Sequence, residues 1–168
     1  MRDQPKYPVK PAKDQDSIVY FAYGSNMSTA RLRGRTPSAL PLARASLQGW
    51  ELAINKRGLD GTGKCNIVPV VGAAVHGVLF QLRKEELADL DRAEDGRRGG
   101  YRRVPILPEI DGNPIPADTY IASAGFIDNS LHPSSEYKQF VVEGAEEHGL
   151  PTAYQDRLRN MKTSPDAA

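Results

Sequence analysis

The run Ser17-Ile-Val-Tyr-Phe-Ala-Tyr23 is rich in β-branched and aromatic residues and is halted by Gly24. A short apolar run bounded by a turn residue reads as a buried strand feeding a tight loop. Ser28 then stands as the N-cap of a brief helix through about Arg33. A strand, a Gly24-Ser25-Asn26 turn and a helix in so little chain leave few geometries. Such a turn aims backbone N–H groups in one direction, a cradle for a carboxylate or a developing oxyanion. Spacing alone favours the plainer reading, a strand-to-helix turn capped by Ser25 or Ser28.

The remaining pattern predicts one or two strands over 43–55 around Trp50, a glycine-rich surface loop over 56–64 and a central strand over 74–82. Residues 84–94 are good helix formers, with Gly96 at the expected C-cap. Strands are expected over 101–107 and 115–122, paired around the turn signal Asp111-Gly112-Asn113-Pro114. Tyr137, Phe140, Val141, Ala145 and His148 recur at helical spacing, with Ser134 or Ser135 as cap and Gly149 as stop. After Pro151, the repeat of Tyr154, Leu158 and Met161 predicts a second short helix. Strands first, with helices interspersed and no βαβ alternation, argue for a mixed α/β (α+β) domain around a curved sheet. It spans 17–162, between a loose arm (1–16) and a tail (163–168).

The 168 residues suit one domain with one site. With 22 basic and 21 acidic residues the net charge is +1, which offers no case for nucleic acid or an anionic membrane and points to a small-molecule partner. MRDQPKYPVKPAKDQDS lacks the apolar core of a signal peptide and no segment reaches membrane-spanning length, so a cytoplasmic protein is expected. One cysteine and three scattered histidines lead to no expectation of a disulfide, a metal or a cofactor. The stretch from Gly58 to Cys65 mimics a phosphate loop, but ends on cysteine where serine or threonine should hold magnesium, and the β-branched run after it opens no helix. Cys65 reads as a structural thiol, His76 as a satisfied core histidine and His148 as a charge partner of a helix C-terminus.

Glu94 follows Leu87 and Leu90 on the apolar face of the 84–94 helix. An inward carboxylate at the negative end of a helix has its anion disfavoured, which raises its pKa towards useful acid/base chemistry. A helix frayed at Ala93 would instead leave Glu94 solvated, and periodicity does not choose between the two.

Three separated blocks, YFAYGSNM from Tyr20, LDRAEDG followed by GGYRR, and PSSEYKQFVVEGAEEHGLPTAYQDRL, resemble the γ-glutamylcyclotransferase family in order and spacing. The resemblance runs from about Tyr20 to Met161 and is weak over 58–71. It implies a compact mixed domain with a small barrel-like sheet and flanking helices, and a possible homodimer. It implies that Tyr20, Phe21, Ala22, Tyr23, Gly24, Ser25 and Asn26 bind the α-carboxylate and γ-carbonyl region of a γ-glutamyl substrate. Glu94 would be the catalytic acid/base, with Tyr137 and Tyr101 lining the pocket. The implied reaction closes a γ-glutamyl amino acid to 5-oxoproline, within glutathione and γ-glutamyl peptide metabolism, without cofactor or metal. The match through Gly149-Leu150-Pro151 resembles the branch acting on γ-glutamyl amino acids more than the branch acting on γ-glutamyl amines of side chains. Alternatives are the same closure removing a γ-glutamyl protecting group from a biosynthetic intermediate, a non-catalytic binding member of the fold, and a hydrolase using Cys65.

Overall fold

In the computed structural model, which describes residues 16–94 and 99–165, β1 (Ser17–Ala22) sits inside a seven-stranded sheet. It pairs antiparallel with β3 (Gly63–Arg83), from Ser17 opposite Arg83 to Ala22 opposite Val78. On its other edge it pairs parallel with β7 (Ala117–Ala122), at Tyr20 and Asp118. A strand with neighbours on both edges and cover on both faces needs no polar alternation. Tyr20, Phe21 and Ala22 are accordingly all buried.

The strands β2 (Leu40–Arg57) and β3 form one long hairpin, with register shifts between Pro41 and Ala43, Gln48 and Trp50, and Ala53 and Lys56. Each shift bends the pair and adds twist, and the sheet curls into a half-barrel. Gly77 is required where β3 passes β1, because a Cβ there would lie 2.4 Å from the Ala22 carbonyl oxygen. The expected loop over 56–64 is a correction: Lys56 and Arg57 pair with Lys64 and Gly63, so only 58–62 form the turn. Lys56 is 2% exposed, its ammonium 4.7 Å from the Tyr101 ring centroid and 5.5 Å from that of Phe126. Cation–π contact lets a lysine occupy a position that composition assigns to solvent.

α1 (Thr29–Arg33) is capped by Ser28, whose side chain accepts from the Arg31 amide. A 3-10 turn (Lys84–Glu86) leads into α2 (Leu87–Ala93), where Leu90 is fully buried and Glu94 is the C-cap. Gly96 lies outside the described residues, as does the expected arm apart from Asp16; of the tail, residues 163–165 are described and carry neither helix nor strand.

β4 (Tyr101–Ile106) pairs antiparallel with β7, as expected for those two runs. The Asp111-Gly112 turn does not join them directly. It closes β5 (Glu109–Ile110) onto β6 (Asn113–Pro114), and β5 adds to β2 on the far side of the sheet. The strand order is β4-β7-β1-β3-β2-β5-β6.

α3 (Ser135–Glu147), capped by Ser134, and α4 (Thr152–Arg159) bury Val141, Ala145, Tyr154 and Leu158. Gly144 lets α3 approach the 3-10 turn Ser25–Met27; a Cβ there would lie 2.6 Å from the Met27 Cβ. His148 departs from its expected role as a charged partner of the helix C-terminus. It is fully buried, burial lowers its pKa, and its Nε2 lies 2.9 Å from the Met27 carbonyl oxygen. A neutral imidazole donating there pins α3 to the loop after β1. His76 is half-buried, its ring edge-on to Tyr154 at 4.8 Å. Among the described residues no helix is long and apolar enough to cross a membrane.

Candidate active site

Where β1 ends, Gly24, Ser25 and Asn26 turn the chain towards α1. The first N–H groups of a helical turn lack intrahelical acceptors, and the Ser25 and Asn26 amides donate to no protein group among the described residues. Gly24 is needed by space, since a Cβ would lie 3.0 Å from the Cys65 Cβ and 3.3 Å from the Tyr137 hydroxyl. The loop therefore lies directly against β3 and α3.

The Asn26 side chain joins the loop to the carboxylate. Its Nδ2 donates to the Tyr20 hydroxyl at 3.1 Å and to Glu94 Oε1 at 2.5 Å, while its Oδ1 accepts from Arg35 at 3.0 Å. Arg35 also stands 3.5 Å from Glu94 Oε1, whose side chain is 15% exposed. Glu94 Oε2 has no hydrogen-bond partner among the described residues. One oxygen is thus held and the other is available. Burial raises the Glu94 pKa, against the opposing pull of Arg35, the Asn26 hydrogen bond, Lys56 and Arg31. The result is a carboxylate that takes and returns a proton more readily than a solvated one.

Tyrosine hydroxyls enclose this carboxylate. Tyr101 donates to the Cys65 carbonyl at 2.7 Å, and Tyr137 accepts from the Cys65 amide at 2.9 Å, so the start of β3 sets both rings. Tyr23 donates to the Tyr120 carbonyl oxygen. The Tyr120 hydroxyl donates to Asp91 at 2.6 Å, and Asp91 also receives Arg103, which ties α2 to β4 and β7. Burial holds all four of Tyr20, Tyr23, Tyr101 and Tyr137 well above the ordinary phenol range, so they remain donors. Burial pushes the Cys65 thiol up to about 12, and a thiol held protonated is no nucleophile.

The expected residues Tyr20, Tyr23, Gly24, Ser25, Asn26, Glu94, Tyr101 and Tyr137 all wall this inner cavity. Phe21 and Ala22 do not. Both are fully buried in the core, and the strand turns Phe21 to the opposite face from Tyr20, where its carbonyl accepts from Thr119. The sequence reading missed Tyr120, the Cys65 backbone and Arg35. Only Arg35 left a trace, as a cation just past α1; the others reach the site through strand pairing.

A second, wider cavity of about 340 Å³ shares Ser25, Glu94, Tyr101 and Tyr137 with the inner one and extends to the 58–62 turn. A further cavity of about 780 Å³ lies at the opposite ends of β2 and β3 and contains none of these residues. Among the described residues no cluster of side chains suits a metal ion.

Residues 74–158 match the model of the AIG2-like family. Proteins named γ-glutamylcyclotransferase from Homo sapiens and Bos taurus are each 34% identical to this chain, over 155 residues (89% of this chain, 81% of the relative) and 159 residues (90% and 82%). A solved structure titled γ-glutamyl cyclotransferase superposes with a TM-score of 0.84 at 29% identity, covering 90% of this chain and 92% of that one. With relatives of that similarity over most of its length, and with its strand-turn-helix loop set against a buried glutamate, the chain belongs to the γ-glutamylcyclotransferase family.

Proposed function

We propose that this enzyme converts γ-glutamyl amino acids to 5-oxoproline and the free amino acid, with Glu94 moving the protons. The observation that carries the reading is a buried glutamate held on one oxygen by Asn26 and Arg35, with the other facing no protein partner, beside a backbone loop with undonated amides.

The substrate brings its own nucleophile. Glu94 takes a proton from the α-ammonium; the freed amine nitrogen attacks the γ-carbonyl carbon, forming the lactam C–N bond. The attacking nitrogen sheds its second proton to solvent as the amide C–N bond breaks and the proton on Glu94 passes to the departing nitrogen; the released amine takes up a proton from water, and the enzyme returns to its starting state. Bringing amine and carbonyl together is an entropic task, for which well-oriented intramolecular reactions reach effective molarities on the order of 10⁵ M or more. The Tyr23 to Asn26 loop does that work by receiving the substrate carboxylate and the developing oxyanion on its amides. Each well-placed oxyanion donor contributes roughly 3 kcal/mol in comparable sites. The tyrosine hydroxyls keep the cavity polar without adding a competing base.

The family resemblance further supports a cytoplasmic setting, a place in glutathione and γ-glutamyl peptide metabolism, and a homodimer, the last checked by light scattering. The reading is tested by incubating the purified protein with γ-glutamyl dipeptides, γ-glutamyl-ε-lysine and glutathione while following 5-oxoproline by mass spectrometry. Release from the dipeptides is expected, and release from none of the panel sinks it.

A further inference from the structure

The wider cavity is rich in cations. Arg31, Arg35, Lys56, Lys64 and Arg92 border it, against two described carboxylates, Glu94 and Asp60. Three of these cations are engaged within the protein: Arg35 with Asn26 and Glu94, Arg92 with Asp89, and Lys56 on the Tyr101 and Phe126 rings. Arg31 is different. Its guanidinium lies 4.3 Å from the Phe140 ring centroid, it has no carboxylate partner among the described residues, and its buried Nε has no hydrogen-bond partner. A desolvated donor without an acceptor costs stability until a ligand supplies one.

Lys64 offers a second anion position. It sits 4.6 Å from the Tyr137 ring centroid, close to the Phe140 that carries Arg31 along the same helix, and its ion-pair partner is Asp60 at 3.3 Å. The Asp60 side chain is 52% exposed on the 58–62 turn. Asp60 Oδ1 is held by the Thr62 amide at 2.9 Å and hydroxyl at 2.8 Å, so it is the Oδ2 contact with Lys64, half-exposed on the Asp60 side and weak, that another carboxylate can replace.

We infer that the wider cavity is the leaving-group subsite and that Arg31 and Lys64 make it selective for an acidic leaving amino acid, whose α-carboxylate and side-chain carboxylate they receive. This inference rests on the cyclotransferase reading. The Asp60 carboxylate holds the place of one substrate carboxylate until the substrate displaces it. The volume of about 340 Å³ suits an amino acid and is open to solvent-derived counterions, so the selection is screened by salt.

The experiment compares γ-glutamyl-glutamate, γ-glutamyl-glutamine and γ-glutamyl-ethylamide by kcat/KM at low and high ionic strength, with 5-oxoproline as readout. The expected order is glutamate over glutamine over ethylamide, each step about tenfold at low salt and carried by KM, with the gaps narrowing as salt rises. Lys64→Gln, which removes the partner of the side-chain carboxylate, should reduce the glutamate-to-glutamine ratio towards one, whereas Arg31→Gln, which removes the partner of the α-carboxylate, should lower kcat/KM for both amino-acid substrates. If Arg31→Gln does not fold, Lys64→Gln, at a partly exposed side chain, decides alone. Equal kcat/KM for glutamate and glutamine substrates, or a ratio that survives Lys64→Gln, overturns the subsite. Absence of 5-oxoproline from all three overturns the underlying reaction instead, so the two failures are told apart.

Discussion

The inner and outer cavities share a wall and are built on different principles. The inner one is enclosed by tyrosine hydroxyls, each tied to backbone or to a neighbouring side chain, and it holds one carboxylate whose charge is disfavoured. The outer one is bordered by long cationic side chains from α1 and the residues just after it, from the paired ends of β2 and β3, and from α2. Proton transfer needs a dry, fixed environment that shifts a pKa, and strands and buried hydrogen bonds supply it. Discrimination between leaving groups needs only charge at a distance that ligand carboxylates reach, and a strand end beside a turn and a short helix suffice. The comparison teaches that chemistry and selectivity should be separable by mutation.

The sharpest way to break that separation is Glu94→Gln, which should lower kcat roughly 10²–10⁴-fold for every leaving group. It should also stabilise the protein at neutral pH. A carboxyl whose folded pKa is raised contributes stability fully below its unfolded pKa and loses it as pH rises through the folded value. The neutral amide escapes that loss, so thermal denaturation should show a higher Tm than wild type at pH 7 and no such gain at pH 4. A folded variant with near-normal 5-oxoproline release removes Glu94 from the mechanism.

Next in size, Gly24→Val pushes side-chain atoms against Cys65 and Tyr137 at the inner wall. It should cost about 10²-fold in kcat/KM while preserving the ranking of leaving groups. A changed ranking would show that the two cavities are not independent. Arg35→Gln removes the cation that most opposes the raised Glu94 pKa. The acid limb of the kcat/KM profile should then move to higher pH; an unmoved limb would assign that limb to another group. The smallest effect belongs to Asp60→Asn. Freeing Lys64 from an exposed pair worth about 0–1 kcal/mol should lower KM for γ-glutamyl-glutamate up to about fivefold and leave γ-glutamyl-ethylamide unaffected. A rise in KM would show that Asp60 assists binding.

The legible parts of the molecule are those where a local signal and the tertiary structure agree. The β1 run, the Ser28 and Ser134 caps and the inward face of α2 all appear where the spacing predicts. The 56–64 stretch was misread because its glycines and charges resemble a loop, whereas cross-strand pairing and the aromatic rings above Lys56 hold its ends in the sheet. His148 reads from the sequence as a charge partner of its own helix C-terminus, because the loop it pins as a neutral donor lies far away in sequence.

The amino-acid sequence by itself determined the strand-turn-helix at Gly24, the helix that delivers Glu94, and the kinship, because each rests on short-range periodicity or on contiguous motifs. What only the tertiary structure decided is which groups meet. The Asn26–Glu94 hydrogen bond, the Tyr137 and Tyr101 contacts to the Cys65 backbone, and the two cations beside α3 join residues separated by long stretches of chain. Their meeting follows from sheet register, bulges and the close approach allowed at Gly144, which depend on packing across the whole domain and leave no local mark in the sequence.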